Sequence, residues 1–338
     1  MSILDTFKSR IQVAEQILIT THEFPDADGI GSEISLCLAL RELGKKCYCV
    51  NEEALLERYQ YLDKDQVVHG LKSFQENHPD FKPDLMIVVD TNTKLRVGAK
   101  LGQYIGESIP MLYIDHHPCR GRNLPEHCID VNAAATGQIV GEIIEHLGIK
   151  FTYKMALPIY TSIIIDTSSF RYPTVSASTH QLVAKLMKTG ISPPEAYNGI
   201  YGTKRVHHMH LLASILNTAA TNENETIAWI LLKKDEINRF AGDVEDTHAF
   251  INNLLILNNI KVACMFRDDG VQIKMSLRSA GDYDVGMIAM ALGGGGHSHS
   301  AATILTPKDG ESVERVIEKA IKKVEEVLKT FEADEFKP

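Results

Sequence analysis

Short apolar runs alternate with polar loops and helical stretches through the first half of the chain. Gln16 to Thr21 (QILITT), Lys46 to Val50, Leu85 to Val89 (LMIVV) and Met111 to Ile114 (MLYI) each have the length of a strand. Continuous apolar runs of this kind are buried on both faces, as strands are in a parallel sheet covered by helices. Between them, about Gly29 to Leu43 and Thr136 to Leu147 have helical spacing and close on Gly44 and Gly148. Ala156 to Ile165 is again apolar, and periodicity alone does not separate helix from strand there. Helical patterns follow at Ser178 to Lys188, Pro194 to Ile200 and Lys204 to Asn217. A polar break at Thr221 to Glu225 leads to β-rich runs at Ile227 to Lys233, Ile260 to Arg267 and Val271 to Leu277, with a helix between Thr247 and Leu257. The pattern predicts an α/β domain with a mostly parallel sheet over residues 1–190, a helical connector over 191–225, and a second, smaller α+β domain over 226–338.

Each apolar run of the first half delivers acidic or imidazole groups at its carboxyl end. His22, Asp26 and Asp28 follow the first, Asp90 follows LMIVV, Asp115, His116 and His117 follow MLYI, and Asp166 follows the last. In an open α/β sheet the loops beyond the carboxyl ends of the strands form the ligand crevice. Asp28, read as standing just before a helix, also suits a cap, and Asp, Pro and Gly are ordinary turn residues. Four placements of the same kind argue against turns alone, because buried charges cost several kcal/mol unless paired or bound to metal. Hard oxygens with imidazoles suit manganese, magnesium or zinc. Two divalent ions need bridging carboxylates and turn water into a nucleophile at neutral pH, and one imidazole per ion leaves a histidine for the substrate. Phosphate ester hydrolysis is the chemistry that wants this set.

Composition narrows the substrate. There are 35 Lys and Arg against 44 Asp and Glu, a formal charge of -9. That balance excludes a broad basic track for long duplex nucleic acid or an anionic membrane, so a polyanionic substrate must be met by a local device such as a metal ion. Six cysteines without a C-x-x-C pair read as reduced thiols, and the charged amino terminus and lack of a spanning apolar stretch point to a cytoplasmic protein. VHHMH, with His207, His208 and His210, reads as connector surface. Asp63, Asp65 and Glu52 to Glu57 read as a solvated acidic face.

Further on, Arg278 in KMSLRS precedes a glycine run, Gly293 to Gly296, ending in His297. Successive glycines bring backbone N–H groups close to an anion, and an Arg fork reads phosphate bidentately.

HxxxDxD at His22, Asp26 and Asp28, the lone Asp90, DHH at Asp115 to His117, and Asp166 in IIIDTSSF resemble, in order and interval, the four motifs of the DHH phosphoesterase superfamily. KMSLRS with DVGMIAMALGGGGH resembles the associated DHHA1 domain. The two-domain length is similar to the nano-RNase/pAp-phosphatase group. That resemblance implies a manganese-dependent enzyme hydrolysing short oligoribonucleotides to mononucleotides, and 3′-phosphoadenosine 5′-phosphate to AMP, by a two-metal activated hydroxide. It implies His22 and Asp26 on one Mn2+, Asp28, His116 and Asp166 on the other, and Asp90 bridging, with Mg2+ or Co2+ as substitutes. His117 would contact the phosphate or assist the leaving oxygen, and Asp115 would orient an imidazole. Arg278 with Gly294, Gly295, Gly296 and His297 would hold the far end of a short single-stranded RNA or nucleotide in a cleft between the domains. A homodimer is compatible with this reading.

Two departures from the family pattern stand out. HSHSAAT places Ala302 where a glycine is usual and adds His299, and Ser168 replaces a glycine in DTSSF. Rival readings are a phosphodiesterase for cyclic diadenylate or its linear product, a soluble pyrophosphatase, and a non-catalytic nucleotide sensor.

Overall fold

The computed structural model describes residues 3–119, 127–202, 205–239, 247, 249–281, 283–296, 298–308 and 310–335. They belong to two compact units, residues 1–203 and 204–338.

In the first unit six parallel strands, β1 (Gln16–Thr20), β2 (Lys46–Asn51), β3 (Val68–Gly70), β4 (Leu85–Val89), β5 (Met111–Asp115) and β6 (Cys128–Ile129), lie in the order β3-β2-β1-β4-β5-β6. Successive side chains of a strand enter opposite faces. Ile17, Ile19, Ile87 and Ile114 face one core, with the buried residues of α2 (Ala27–Glu42), α5 (Thr136–His146) and α6 (Tyr153–Asp166). Leu18, Met86 and Val88 face the other, with Phe74 of α3 (Leu71–Asn77) and Leu101 of α4 (Ala99–Ile105). Helix α1 (Ile3–Val13) and helices α7 (Ala177–Met187) and α8 (Pro193–Tyr201) complete the unit. The chain runs outward from β1 to β3, then returns to start β4 on the other side of β1. The loops after β1 and β4 therefore part at the switch point, where such sheets bind ligands.

The apolar stretch that periodicity leaves open, Ala156 to Ile165, lies in helix α6, packed against α2 and α5. Helix α2 starts at Ala27, earlier than about Gly29. Asp26 is its cap, accepting a hydrogen bond from Asp28 N–H at 2.8 Å, so Asp28 sits inside the first turn and not before it. Thirteen of the sixteen α2 residues are buried. A helix enclosed on all sides shows no one-sided stripe, which blurs its start in sequence.

The acidic stretch is a correction. Glu52 is 8% exposed, and its carboxylate accepts the backbone N–H groups of Lys100 at 3.2 Å and Leu101 at 2.7 Å, in the first turn of α4. Asp63 is buried and accepts from Val67 and Val68 N–H at 2.8 and 2.9 Å. Both carboxylates satisfy backbone donors rather than face water. Asp65 does lie at the surface, ion-paired with Lys154.

The second unit is a mixed sheet, β11-β12-β10-β9-β8-β7. Its strands are β7 (Ala220–Thr221), β8 (Ile227–Lys233), β9 (Val262–Asp268), β10 (Ile273–Ser279), β11 (Gly295–Gly296) and β12 (Ser300–Leu305), antiparallel except for β8 beside β9. One face packs on α11 (Val285–Ala291) and α12 (Val313–Glu335), and the other on α9 (Val206–Leu216), α10 (Lys234–Arg239) and a 3-10 turn at Phe250–Ile256. The helix expected between Thr247 and Leu257 is this 3-10 segment. His208 is also a correction: it is buried, its ring centroid 4.8 Å from that of Phe250. Among the described residues no helix is long and apolar enough to cross a membrane.

Replacing Glu52 by Ala removes the acceptor of two N–H groups at the start of α4. Chemical denaturation should then show a loss of about 1–2 kcal/mol. A solvated side chain would leave stability unchanged.

Candidate metal centre

The loops after β1, β4 and β5 and the end of α6 meet at one locus. The ligand atoms of His22, Asp26 and Asp90 lie within 4.8 Å of one another, as do those of Asp28, His116 and Asp166, and those of Asp90, His116 and His117. Asp90 belongs to two of these groups, as does His116. His22 Nε2 is 3.3 Å from Asp90 Oδ2, and His116 Nε2 is 3.1 Å from Asp166 Oδ2 and 3.7 Å from Asp28 Oδ2. His117 Nδ1 lies 3.6 Å from Asp90 Oδ1.

Asp28 is gripped from three sides. Thr136 and Gly137 N–H, at the start of α5, donate to it at 2.9 and 3.0 Å, and the Ser162 hydroxyl of α6 also donates. A helix N-terminus is a favourable place for a carboxylate, since its N–H groups have no partner within the helix. A Cβ on Gly137 would stand 2.1 Å from Ser162 Oγ, so only glycine lets α5 approach α6 this closely. Thr136 Oγ1 donates to Asp90 Oδ1 at 3.3 Å. Nothing in the local pattern marks Thr136, Gly137 or Ser162 as part of the site; their role arises from contacts across more than a hundred residues, or nearly fifty for Asp90.

Asp115 is fully buried. Its Oδ1 accepts both the backbone N–H of His117, at 3.1 Å, and the ring Nδ1–H at 2.7 Å when the proton sits there. This pair of bonds fixes the ring and presents Nε2 outward.

The electrostatics call for cations. Burial, then the neighbouring carboxylates of Asp28 and Asp26, push the Asp90 carboxyl well above its usual range, and the same causes raise Asp166. His22 is held below its usual value, foremost by burial, with Arg96 and His117 adding to the effect and Asp26 and Asp28 opposing it. A neutral imidazole is the form that ligates a metal. His116 Nε2 is buried and makes no hydrogen bond although Asp166 Oδ2 is 3.1 Å away. Carboxylate oxygens and imidazole nitrogens that converge in this way fit divalent ions with oxygen and nitrogen preference. Backbone geometry adds to the case: Asp90 has φ +60, a conformation that Asp tolerates at some cost.

In the second unit Arg278 lies on β10 opposite Ser300 of β12, whose other neighbour is β11. It donates to the Leu277 carbonyl at 3.0 Å. Lys274 shares its side of the strand, and Arg267 is the cross-strand partner of Lys274. Burial and the charges of Arg267 and Arg278 lower the Lys274 ammonium. Lys274 and Arg267 thus extend the basic face that sequence pattern assigns to Arg278 alone; the alternation of KMSLRS carries that signal.

The glycine run differs from the expected row of free donors. Gly293 N–H bonds to the Met290 carbonyl at 3.0 Å and Gly294 N–H to that of Ala289 at 2.8 Å, both closing α11. Gly295 and Gly296 form the edge strand, opposite Ala302 and Ala301. With φ +148 and a hypothetical Cβ 2.4 Å from Ala301 Cα, Gly296 is required by close pairing with β12. His297 lies outside the described residues.

Residues 16–163 match the DHH family, N-terminal domain, and residues 239–330 match the DHHA1 domain. The chain is 29% identical over 305 residues to the bifunctional oligoribonuclease and PAP phosphatase NrnA of Thermus thermophilus, covering 89% of this chain and 88% of that one. It is 25% identical over 347 residues to the cyclic-di-AMP phosphodiesterase GdpP of Geobacillus thermodenitrificans, covering 94% of this chain and 49% of the relative. Among solved structures, an exopolyphosphatase-related protein from Bacteroides fragilis has a TM-score of 0.85 at 24% identity, with 97% of each chain covered. At that identity the likeness is one of fold.

A carboxyl whose folded pKa is raised contributes stability that is fully present below its unfolded value and is lost as pH rises through the folded value. At neutral pH, where the unfolded carboxyl is ionised, Asp90 therefore costs stability in metal-free protein. Asp90→Asn should raise the melting temperature of the EDTA-treated protein by about 4 °C near neutrality. The difference should vanish near pH ~4, where the unfolded carboxyl also protonates.

Proposed function

The chain carries a DHH domain followed by a DHHA1 domain and is a member of the DHH phosphoesterases, and we propose that it hydrolyses short oligoribonucleotides to mononucleotides and 3′-phosphoadenosine 5′-phosphate to AMP. One observation carries this reading: two ligand groups, His22, Asp26 and Asp90 beside Asp28, His116 and Asp166, meet at the switch point of a parallel sheet. The likeness to a bifunctional oligoribonuclease and PAP phosphatase over most of both chains supports the substrate class.

In this proposal His22 and Asp26 would hold one manganese ion and Asp28, His116 and Asp166 the other, with Asp90 contributing its carboxylate to the site. Bound there, the ions supply a nucleophile from water at neutral pH and shield the phosphoryl oxygens. The chain's own residues do the rest. Asp28, fixed by α5 and Ser162, keeps its ligand oxygen in place without rearrangement. Asp115 holds the proton of His117 on Nδ1, so that Nε2 meets the substrate's phosphoryl or leaving oxygen. Arg278 and the edge backbone at Gly295 and Gly296 bind a substrate phosphate, with Gly294 serving the helix end instead. Both activities then use one kind of bond, a phosphate ester brought to one centre.

The likeness to a cyclic-di-AMP phosphodiesterase supports a second reading, in which a cyclic dinucleotide is the substrate. The deciding measurement is manganese-supplemented turnover of a length series of 5′-labelled RNAs, the adenosine bisphosphate, and linear and cyclic diadenylate. Dinucleotides to very short oligomers should be cleaved fastest, and the cyclic form slowest. A large preference for the cyclic form, or rapid hydrolysis of pyrophosphate alone, overturns the proposal.

Asp115→Asn keeps the size of the side chain and removes the charge that orients His117. We expect kcat to fall by about tenfold to a hundredfold with manganese content unchanged. Asp90→Ala should lose both metal and activity, as metal analysis of the purified variant would show.

A further inference from the structure

The first unit gathers a second set of chemically capable side chains, at the amino end of β2. A cavity of about 440 Å3 there has Arg41, Lys45, Lys46, Tyr48, His69 and His78 among its lining residues. Lys46 opens β2, whereas the metal-centre loops leave the carboxyl ends of β1, β4 and β5. In a parallel sheet those are opposite ends. Arg41 comes from the last turn of α2, His69 from β3 and His78 from the C-cap of α3.

These groups have few counter-charges from the protein. Arg41 donates through Nε to the Cys47 carbonyl at 2.8 Å and lies over the Tyr48 ring, 5.3 Å from its centroid. Its terminal nitrogens, the Lys46 ammonium and both imidazoles have no hydrogen bond or ion pair among the described residues. Lys46 Nζ sits 5.3 Å from the Phe81 centroid. The His69 and His78 rings are 5.7 Å apart, and each packs on Tyr48, at 5.7 and 4.5 Å. Lys45 differs, being paired with Glu15. Asp63 acts on His69 electrostatically, but its oxygens are taken by Val67 and Val68 N–H.

Clustered cations repel one another, and a ligand of opposite charge relieves that repulsion. We propose that the cavity binds a phosphate-bearing small molecule of up to mononucleotide size. The planar fork of Arg41 matches phosphate oxygens, Lys46 adds a second charge, and the imidazoles add N–H donors. A phosphate dianion balances this set, whereas one carboxylate leaves it positive. The volume lies in the range of small-molecule sites. This site does not depend on the hydrolytic reading of the metal centre.

His69 gives the site a readout. Burial holds its imidazole below the usual value, His78 and Arg41 push the same way, and Asp63 and Cys37 oppose them. A bound dianion raises it.

The test titrates the full chain with pyrophosphate and with 5′-AMP, in EDTA so that the metal centre presents carboxylates that repel anions. Histidine C2–H resonances are followed, with His69→Gln and His78→Gln assigning the two signals. Saturable shifts of both are expected, with the His69 imidazole pKa raised by the anion. Lys46→Glu, at an exposed position that leaves the core untouched, should weaken binding about tenfold. Tighter binding of AMP supports a nucleotide ligand, and tighter binding of pyrophosphate supports recognition of phosphate alone. Absence of a saturable shift with both probes, or equal affinity in Lys46→Glu, overturns the proposal.

Discussion

The first unit is organised around one buried carboxylate. Asp28 belongs to α2, accepts N–H groups from the first turn of α5 and a hydroxyl from α6, and faces His116 3.7 Å away. Isolated, such a charge would cost several kcal/mol to bury. The N–H groups at the α5 N-terminus and the Ser162 and Ser32 hydroxyls offset that cost, and in doing so tie three helices to the mouth of the sheet. The layer that covers the strands and the geometry of the ligands are thus set by the same bonds. A shift of α5 relative to α6 large enough to admit a side chain at Gly137 against Ser162 would also move the carboxylate.

The same arrangement creates a conflict within the site. Asp90 and Asp166 are forced close to Asp28 and Asp26, and each of these two is driven toward its protonated form. A chain selected for stability alone would not place them so, which is the physical sense in which the site is incomplete without cations. The net charge of -9 consequently does not describe the surface a substrate meets. Part of the acidity lies in the ligand set, while Arg41, Lys46, Lys274, Arg267 and Arg278 occupy separate basic places within the two units.

Much of this was legible in the chain because strand ends in a parallel sheet converge. QILITT, LMIVV and MLYI locate the strands, and the residues after them share a crevice whatever the details of packing. What escapes such reading depends on contacts between distant segments. Glu52 looks solvated until α4 is placed against it, and His69 and His78 look unremarkable until β3 and α3 bring them to Tyr48. The glycine run shows the opposite error: its composition suits an anion cradle, yet two of its N–H groups end a helix. Composition states which bonds a segment can make, and only the neighbours decide which it does make.

The turn after Asp166 shows how that decision can be enforced. Ser168, Ser169 and Phe170 have φ of +48, +64 and +65, three consecutive left-handed residues with no glycine among them. Each such residue costs on the order of 1 kcal/mol or more, so the turn persists only where other bonds over-determine it. Here Ser169 N–H reaches the Ile164 carbonyl at 2.8 Å, Phe170 N–H the Thr167 hydroxyl at 2.8 Å, and Arg171 N–H the Thr167 carbonyl at 2.8 Å. The Arg171 guanidinium closes back on Ser168, and the Phe170 ring stacks on His180 at 5.4 Å. With its hydroxyl, Ser168 gives the guanidinium an acceptor that glycine would lack, partly compensating for its less favourable backbone. The result is a helix that stops just past Asp166 and reverses sharply, holding that carboxylate at the helix end, 3.1 Å from His116.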